Sequence, residues 1–217
     1  MCTCTGDKKI NGEELRMKIL AAIIIGYFLG SIPFALVIGK LFFQKDIRNY
    51  GSKNLGGGNA GRVLGKKAGL AVMTLDLLKV TLAIFLTALF ANDEIILILA
   101  GLSAAAGHCF PVFANFKGGK AVATMYGFLF GMALVGGYGL KIFFFPLIVF
   151  LIVLYLWKII ALASIVSAVV NTFFIYLAVG SLPLCLASLI FSVMILIRHR
   201  KNIERMLKKE ENKISWT

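Results

Sequence analysis

The sequence predicts an all-α membrane protein, a polytopic bundle of about seven transmembrane helices. Hydrophobic residues make up 59% of the 217 positions and charged residues only 15%, whereas a water-soluble domain has about 45–50% and about 25%. The apolar residues form long runs with few ionisable side chains, and the net charge of +13 comes from the segments between them. This composition excludes a disordered chain and a disulfide-stapled scaffold.

Each transmembrane helix needs about 20 apolar residues. The apolar runs predict spans at 19–43, 69–91, 95–113, 122–140, 142–157, 159–179 and 183–197. Single lysines, Lys141 and Lys158, separate the fourth, fifth and sixth runs, so five spans are the alternative. We expect three regions: a polar extension at 1–18, a membrane domain at 19–197 and a basic tail at 198–217.

Lysine and arginine residues set the orientation, because they favour the cytoplasmic side of a membrane. Seventeen of them fall on one side of the predicted bundle and five on the other, while Lys79 lies inside a span. The distribution predicts an outer N-terminus and a cytoplasmic C-terminus in the inner (cytoplasmic) membrane of the cell. Three conspicuous polar segments would then share the cytoplasmic face.

The first polar segment, 46–67, is rich in glycine, which occupies five of the eleven positions from 51 to 61. Glycine costs about 1 kcal/mol per residue in a helix, so we expect a tight loop and no stable helix. Backbone N–H groups in such loops bind anions. Ser52 and Asn54 lie within the loop, and Arg62 and Lys66 add positive charge at its end. A flexible loop without a ligand is the alternative.

The second segment is the turn Lys117-Gly118-Gly119-Lys120, between the third and fourth spans. It places two ammonium groups around a turn that can expose backbone amides, which predicts a second phosphate or oxyanion site. A plain hairpin with its lysines at the membrane surface is the alternative. His108, just before this segment, is expected to be a structural hydrogen-bonding residue.

The third segment follows the last span. On a continuing helix, His199 and Asn202 are three residues apart and share a face, which offers an imidazole and an amide at the membrane surface. Glu204 would point about 140° away from His199, so those two residues are not expected to pair unless the helix breaks. In the second span, Asp76 and Lys79 are placed to form an ion pair, with either a structural or a functional role.

The acidic residues are too scattered to hold a catalytic metal. No D-x-x-D pair or carboxylate cluster occurs on the predicted cytoplasmic side, so metal-assisted phosphoryl transfer is not expected. The sequence also shows no Ser-His-Asp or Cys-His arrangement, which argues against a covalent acyl-enzyme.

Several ordered motifs together resemble the bacterial acyl-phosphate:glycerol-3-phosphate acyltransferases, over about residues 26 to 214. They are Gly30-Ser-Ile-Pro-Phe34, Gly39-Lys40, Gly51-Ser-x-Asn54 with Asn59 and Arg62-x-x-Gly65-Lys66, Leu75-Asp-Leu-Leu-Lys79, Gly107-His-x-Phe-Pro-Val-Phe113, Phe116-Lys-Gly-Gly-Lys120, Arg198-His-x-x-Asn-Ile203 and Glu211-x-Lys-Ile214. Consistent order and spacing make the set more specific than any one motif.

The resemblance implies an enzyme that moves a fatty acyl group from acyl-phosphate to the sn-1 hydroxyl of glycerol 3-phosphate, giving lysophosphatidic acid and phosphate. It implies no cofactor, no metal, no acyl-CoA and no nucleic acid. The implied partners are the two substrates and membrane lipid, and the soluble enzyme that makes acyl-phosphate is a candidate partner.

The resemblance also assigns roles to residues, and the residue patterns above add to them. The catalytic candidates are Ser52, Arg62, His199 and Asn202. The candidates for phosphate binding are Lys117, Gly118, Gly119 and Lys120, with Asn54 and Lys66. The structural candidates are Glu211, Asp76 and Lys79.

The sequence departs from the family's usual pattern at three places. Lys53 replaces a glycine, Gly57 and Gly58 replace an Ala-Thr pair, and Ala121 stands where a glycine is common. Alanine in a left-handed backbone conformation costs about 1 kcal/mol or more, so we expect this turn to differ from the usual turn of the family.

Two other functions compete with this interpretation. A small transporter or channel for an anionic metabolite would use broken helices in matching halves, but the glycine-rich segments lie on one predicted side and no internal repeat is evident. A lipid phosphotransferase would need acidic metal ligands, which this sequence does not cluster.

Overall fold

A computed structural model describes residues 11–214, and within that range the chain is all-helical, as predicted. The helices are α1 Gly12–Gly30, α2 Phe34–Phe43, α3 Gly57–Leu64, α4 Lys66–Ala88, α5 Glu94–Cys109, α6 Val122–Leu134, α7 Lys141–Trp157, α8 Ile160–Ala178, α9 Leu182–Arg198 and α10 Arg200–Leu207. Two short 3-10 turns lie at Ile47–Asn49 and Val112–Ala114. The first ten residues of the predicted N-terminal extension lie outside the described range.

The helices pack into one bundle with an apolar exterior. Helix α1 lies against α4 and α5, α4 against α3 and α6, and α8 against α7 and α9. Phe128 and Phe191 are fully buried at the centre, with their ring centroids 5.0 Å apart. Large apolar side chains such as Leu41 and Leu177 are more than 70% exposed. An apolar exterior of this kind suits lipid as the surrounding solvent.

The helix lengths agree with a membrane-spanning protein. Four stretches of residues 11–214 are long and apolar enough to cross a membrane: Gly12–Phe43, Lys66–Ala88, Glu94–Ala114 and Ile160–Ala178. The pair α9 and α10, bent by 60°, makes a fifth if it forms one broken span. Helix α6, with 13 residues, is about 20 Å long, shorter than a hydrocarbon core of about 30 Å. The number of spans and the sides of the termini stay predictions.

The first predicted span is interrupted. The apolar run at 19–43 predicts one helix, but α1 ends at Gly30 and α2 begins at Phe34. Pro33 lies between them, and its ring and missing N–H oppose a continuous helix. Helix α1 also begins at Gly12, so residues 12–18 of the predicted polar extension are helical.

The prediction that the glycine-rich segment forms no helix is wrong for Gly57–Leu64, which is α3. Tertiary packing overrides the low helix propensity of glycine here. A Cβ on Gly69 of α4 would lie 2.6 Å from the Cα of Gly61, and a Cβ on Gly57 would lie 2.1 Å from Cγ of Met73. The glycines therefore let the backbones of α3 and α4 approach more closely than any larger residue would.

This contact gives a testable prediction. Gly69→Ala is expected to lower the free energy of unfolding by about 1 kcal/mol or more, because overpacking against a backbone costs about 1–3 kcal/mol. Gly61→Ala is a matched control, since its Cβ would lie 3.7 Å from the Cα of Gly69, an ordinary contact. In thermal unfolding in detergent, Gly69→Ala should have a clearly lower midpoint than Gly61→Ala. Equal stabilities would contradict the close approach.

Candidate active site

A cavity of about 480 Å³ lies between α3, α4, α6, α7, α8 and the junction of α9 with α10. Its polar lining residues are Ser52, Asn54, Asn59, Arg62, Thr74, Asp76, His108, Lys120, Ser164, His199, Asn202 and Glu211. Its large apolar lining residues are Leu70, Met73, Leu77, Tyr126, Phe143, Leu147, Phe150, Leu151 and Ile160. Such a cavity suits a molecule with an anionic head and an apolar tail.

The first polar segment reaches the cavity through Ser52, Asn54 and Arg62, as predicted. Buried Asn59 fixes the loop: its Oδ1 accepts a hydrogen bond from the Ser52 amide at 2.8 Å, and its Nδ2 donates to the carbonyls of Ile47 and Tyr50, each at 3.2 Å. Sequence reasoning assigned Asn59 no role, although it lies within the first motif.

The glycine-rich loop continues directly into α3. Gly57 and Gly58, at the start of the helix, line the cavity, and their capping residue Gly56 has no side chain to bond the first amides. The first N–H groups of a helix lack intrahelical acceptors. Lys53 has a φ of +58°, so a lysine here adopts the left-handed backbone conformation that favours glycine.

The second segment reaches the cavity through one of its four predicted residues. Lys120 lines it, whereas Gly118 and Gly119 are buried behind it and Lys117 is exposed elsewhere. The Gly119 amide donates to the carbonyl of His108 at 3.0 Å, so this amide already has an acceptor within the chain. The predicted contacts of Lys117, Gly118 and Gly119 with phosphate stay predictions. Lys66, at the start of α4, is likewise exposed and outside the cavity lining.

The turn ends in an unusual conformation. Ala121 has a φ of +62°, so this alanine adopts the left-handed conformation despite its cost. Ala121 is fully buried in the main core, and this packing together with the hydrogen bonds of the turn maintains its conformation. Val122 and Ala123, which start α6, line the cavity next to Lys120.

The third segment bends sharply at His199, between α9 and α10. The helix therefore does not continue straight, but the Asn202 amide donates to the carbonyl of His199 at 2.8 Å, and both side chains are buried at the cavity, as their spacing predicted. The chain does break, yet Glu204 is exposed and forms none of the described ion pairs with His199.

The environment of His199 keeps it neutral. Its Nδ1 lies 2.8 Å from the carbonyl oxygen of Ile195, which can only accept, so Nδ1 carries the proton and Nε2 is the acceptor. Burial lowers the pKa of His199 to about 4, and the positive charge of Lys120 acts in the same direction. At neutral pH the side chain is therefore an uncharged hydrogen-bond acceptor.

A chain of polar contacts joins the second and third segments. Lys120 Nζ donates to Oδ1 of Asn202, Nδ2 of Asn202 donates to Glu211 Oε1 at 2.7 Å, and Glu211 Oε2 accepts from Arg205 Nε at 2.8 Å. Burial lowers the pKa of Lys120 to about 8, although the Glu211 carboxylate opposes this. These contacts support the predicted structural role of Glu211, which stays a prediction.

Asp76 and Lys79 form a buried ion pair, and His108 joins them. Lys79 Nζ lies 2.7 Å from Oδ1 of Asp76 and 3.1 Å from Nδ1 of His108, and it donates to the carbonyl of Ile32 at 2.8 Å. The lysine thus links α4 and α5 to the interruption between α1 and α2. This geometry favours the structural interpretation of the pair, with His108 as a third member.

Removing one partner of this cluster tests its role. Lys79→Met is expected to lower the free energy of unfolding by about 3–5 kcal/mol, because it leaves a buried carboxylate without its main counter-charge. The double variant Asp76→Asn with Lys79→Met should recover most of that loss. Chemical or thermal unfolding in detergent measures both variants. A single variant as stable as the wild type would show that the pair contributes little.

Metal ligands do not gather anywhere in residues 11–214: no group of three or more His, Cys, Asp or Glu side chains there could hold an ion. The expectation of metal-free chemistry stays a prediction.

Comparison with known proteins agrees with this site. The family described as glycerol-3-phosphate acyltransferase matches residues 20–209. The glycerol-3-phosphate acyltransferase of Enterococcus faecalis (strain ATCC 700802 / V583) is 41% identical over 209 residues, which cover 92% of this chain and 94% of that protein. The one from Streptococcus pyogenes serotype M5 (strain Manfredo) is 43% identical over 212 residues, with 92% and 95% covered.

Solved structures show the same architecture. The chain is similar to PlsY (YgiH), an integral membrane glycerol 3-phosphate acyltransferase, in its glycerol 3-phosphate form, with a TM-score of 0.83, 35% identity and 91% and 96% of the two chains covered. The lysophosphatidic acid form gives a TM-score of 0.80 at 33% identity, with 91% and 95% covered.

The fold and site define an integral membrane protein of the acyltransferase class. The chain belongs to the glycerol-3-phosphate acyltransferase family, of the PlsY type, as the motifs predicted.

Proposed function

We propose that this protein transfers a fatty acyl group from acyl-phosphate to the sn-1 hydroxyl of glycerol 3-phosphate, which yields lysophosphatidic acid and inorganic phosphate. The observation that carries this proposal is the cavity itself, whose lining has a cationic, hydrogen-bonding part and a large apolar part. The related PlsY has been solved in a glycerol 3-phosphate form and a lysophosphatidic acid form, which supports the same acceptor and product here.

The polar end binds the phosphate groups. Arg62 and Lys120 both line it, and they are close enough for the charge of Arg62 to act on Lys120. The first residues of α3 and α6 also line the cavity, and helix N-termini favour anions. Two separate cationic elements match a reaction that brings two phosphorylated molecules together. Asn54 adds a neutral amide beside them.

The apolar end holds the acyl chain. Leu70 and Met73 of α4 and Leu151 of α7 line the cavity and are also exposed on the outer surface of the bundle. An opening lined in this way connects the cavity with the surrounding lipid. The chain of the donor can therefore stay in an apolar environment while its phosphate lies at the polar end.

The reaction is a direct acyl transfer. The sn-1 oxygen forms a bond to the acyl carbonyl carbon, the bond between that carbon and the phosphate oxygen breaks, and inorganic phosphate leaves. Ser52 and Asn202 both line the cavity, and we assign the Ser52 hydroxyl and the second N–H of Asn202 as hydrogen-bond donors to the developing negative charge. Holding both reactants in one cavity supplies much of the rate enhancement.

The proton of the attacking hydroxyl passes to a phosphate oxygen of the substrates. His199, the other candidate base, is a weak one, because its pKa is about 4. A phosphate monoester has a second pKa of about 6, nearer to neutral pH and so better suited to general base catalysis. His199 then orients the acceptor through Nε2.

The distribution of Lys and Arg supports a cytoplasmic active site in the inner membrane. Both proposed phosphorylated substrates would reach the cavity from that side. The soluble enzyme that makes acyl-phosphate would then act as a partner at this face.

The direct test is an assay of purified protein with palmitoyl-phosphate and labelled glycerol 3-phosphate. Lysophosphatidic acid should form in the presence of EDTA and should not form with palmitoyl-CoA. Arg62→Ala and His199→Ala are expected to lower kcat/KM about 100-fold or more, because each removes a group that binds or orients the acceptor and misplacement of a reactant costs about that much. Lys67→Ala is the matched control, since Lys67 is exposed and outside the cavity lining. Vesicle uptake of glycerol 3-phosphate without any product would favour a transporter instead.

The pH dependence tests the role of Lys120. Its pKa of about 8 in the free protein means that the ammonium loses its proton as pH rises through that value, so binding of a phosphate dianion weakens. We expect kcat/KM to fall above about pH 8, because this ratio reports groups of the free enzyme. Lys120→Arg, which stays charged, should move that fall to higher pH. An unchanged profile in this variant would exclude Lys120 as the titrating group.

A further inference from the structure

We propose that Arg198 is a positioning residue, which fixes the turn at Gly118 and Gly119 and so places Lys120 in the cavity. The proposal deepens the proposed function and rests on it. Arg198 is absent from the cavity lining, so it acts through the turn and not by contact with substrate.

The guanidinium of Arg198 donates hydrogen bonds to two successive carbonyl groups. Its Nε donates to the carbonyl of Gly119 and its Nη2 to the carbonyl of Gly118, each at 2.9 Å. These bonds join the last residue of α9 to a turn about eighty positions earlier in the chain. The guanidinium also lies over the ring of Phe110 at 5.4 Å, which restricts its own position.

The opposite side of the turn rests on α5. The Gly119 amide donates to the carbonyl of His108 at 3.0 Å. A Cβ on Gly118 would lie 2.0 Å from that carbonyl oxygen, and a Cβ on Gly119 would lie 2.0 Å from Nε2 of His108. The turn is therefore clamped between His108 and Arg198, and His108 is itself held by the buried ion pair of α4.

The turn needs such a clamp because its backbone is strained. Asn115, Phe116 and Ala121 all have a positive φ, a conformation that side chains with a Cβ disfavour. Lys120 lies directly between the clamped glycines and Ala121. Its ammonium reaches Asn202 only if the turn keeps this shape. Loss of the clamp should release Lys120 from the cavity.

Arginine suits this role better than lysine. Its planar fork presents parallel donors to two acceptors, while an ammonium is a compact charge on a flexible stem. None of the ion pairs described for residues 11–214 involves Arg198. Its charge-assisted donors are directed at the turn.

The test compares Arg198→Met and Arg198→Lys with Arg200→Met, a matched control because Arg200 is exposed and two residues away. Because we assign Lys120 to the phosphate of glycerol 3-phosphate, Arg198→Met is expected to raise the KM for that substrate about tenfold or more, as hydrogen bonds to a charged donor are lost. The KM for palmitoyl-phosphate should change less than about twofold. Arg198→Lys should show a smaller rise, and Arg200→Met should match the wild type.

Several outcomes would overturn the proposal. These are an unchanged KM for glycerol 3-phosphate in either Arg198 variant, equal rises for both substrates, and a fall in kcat alone. If Arg198→Met does not fold, the KM of Arg198→Lys for glycerol 3-phosphate tests the proposal in its place.

A binding readout separates this proposal from the proposed function. Glycerol 3-phosphate should raise the thermal midpoint of the wild type, because a ligand stabilises the state that binds it, and should raise that of Arg198→Met far less. Stabilisation without any lysophosphatidic acid would overturn the reaction alone. Product formation with unaffected Arg198 variants would overturn the positioning role alone, and absence of both binding and product in the wild type would overturn both.

Discussion

Close approach of backbones at glycine residues is the constraint on which the structure depends. In lipid, apolar side chains gain little by leaving their surroundings, so helices associate through tight packing and hydrogen bonds. A Cβ on Gly30 of α1 would lie 2.0 Å from the carbonyl oxygen of Ala104 in α5, and one on Gly127 of α6 would lie 2.2 Å from the carbonyl oxygen of Leu77 in α4. The same principle brings α3 onto α4. The contacts of α4 with α3 and α6 set the positions of three helices that line the cavity.

Buried polar contacts join particular helices and turns within this packing. Lys79 contacts Asp76 of α4, His108 of α5 and the carbonyl of Ile32, which lies between α1 and α2. The carbonyl of His108 in turn accepts a hydrogen bond from the Gly119 amide in the turn before α6. On the other side, Glu211 holds Asn202 and Arg205, and the Ile214 amide donates to the carbonyl of Lys158 at 2.8 Å. Contacts in the bundle interior and contacts of the C-terminal tail thus both support the polar end of the cavity.

The sequence predicted much of the candidate site. Ser52, Arg62, Lys120, His199 and Asn202 were expected in one place, and all five line the same cavity. Motif spacing does not show which way a turn faces, however. Gly118 and Gly119 lie behind the cavity because contacts from α5 and α9 orient their peptide groups, and those partners are distant in the chain. The helix over Gly57–Leu64 was missed for a similar reason, because its stability comes from α4 and not from local propensity.

The sequence by itself determined the membrane class, the helical content and the set of residue types available for binding phosphate. Apolar runs require helices in lipid, since every backbone polar group there needs a partner within the chain, and most of the charges lie in the segments between the runs. Only the tertiary structure decided which polar groups share one cavity and which support them from behind. That choice depends on distances between backbones and on hydrogen bonds across helices, and neither is encoded in local spacing.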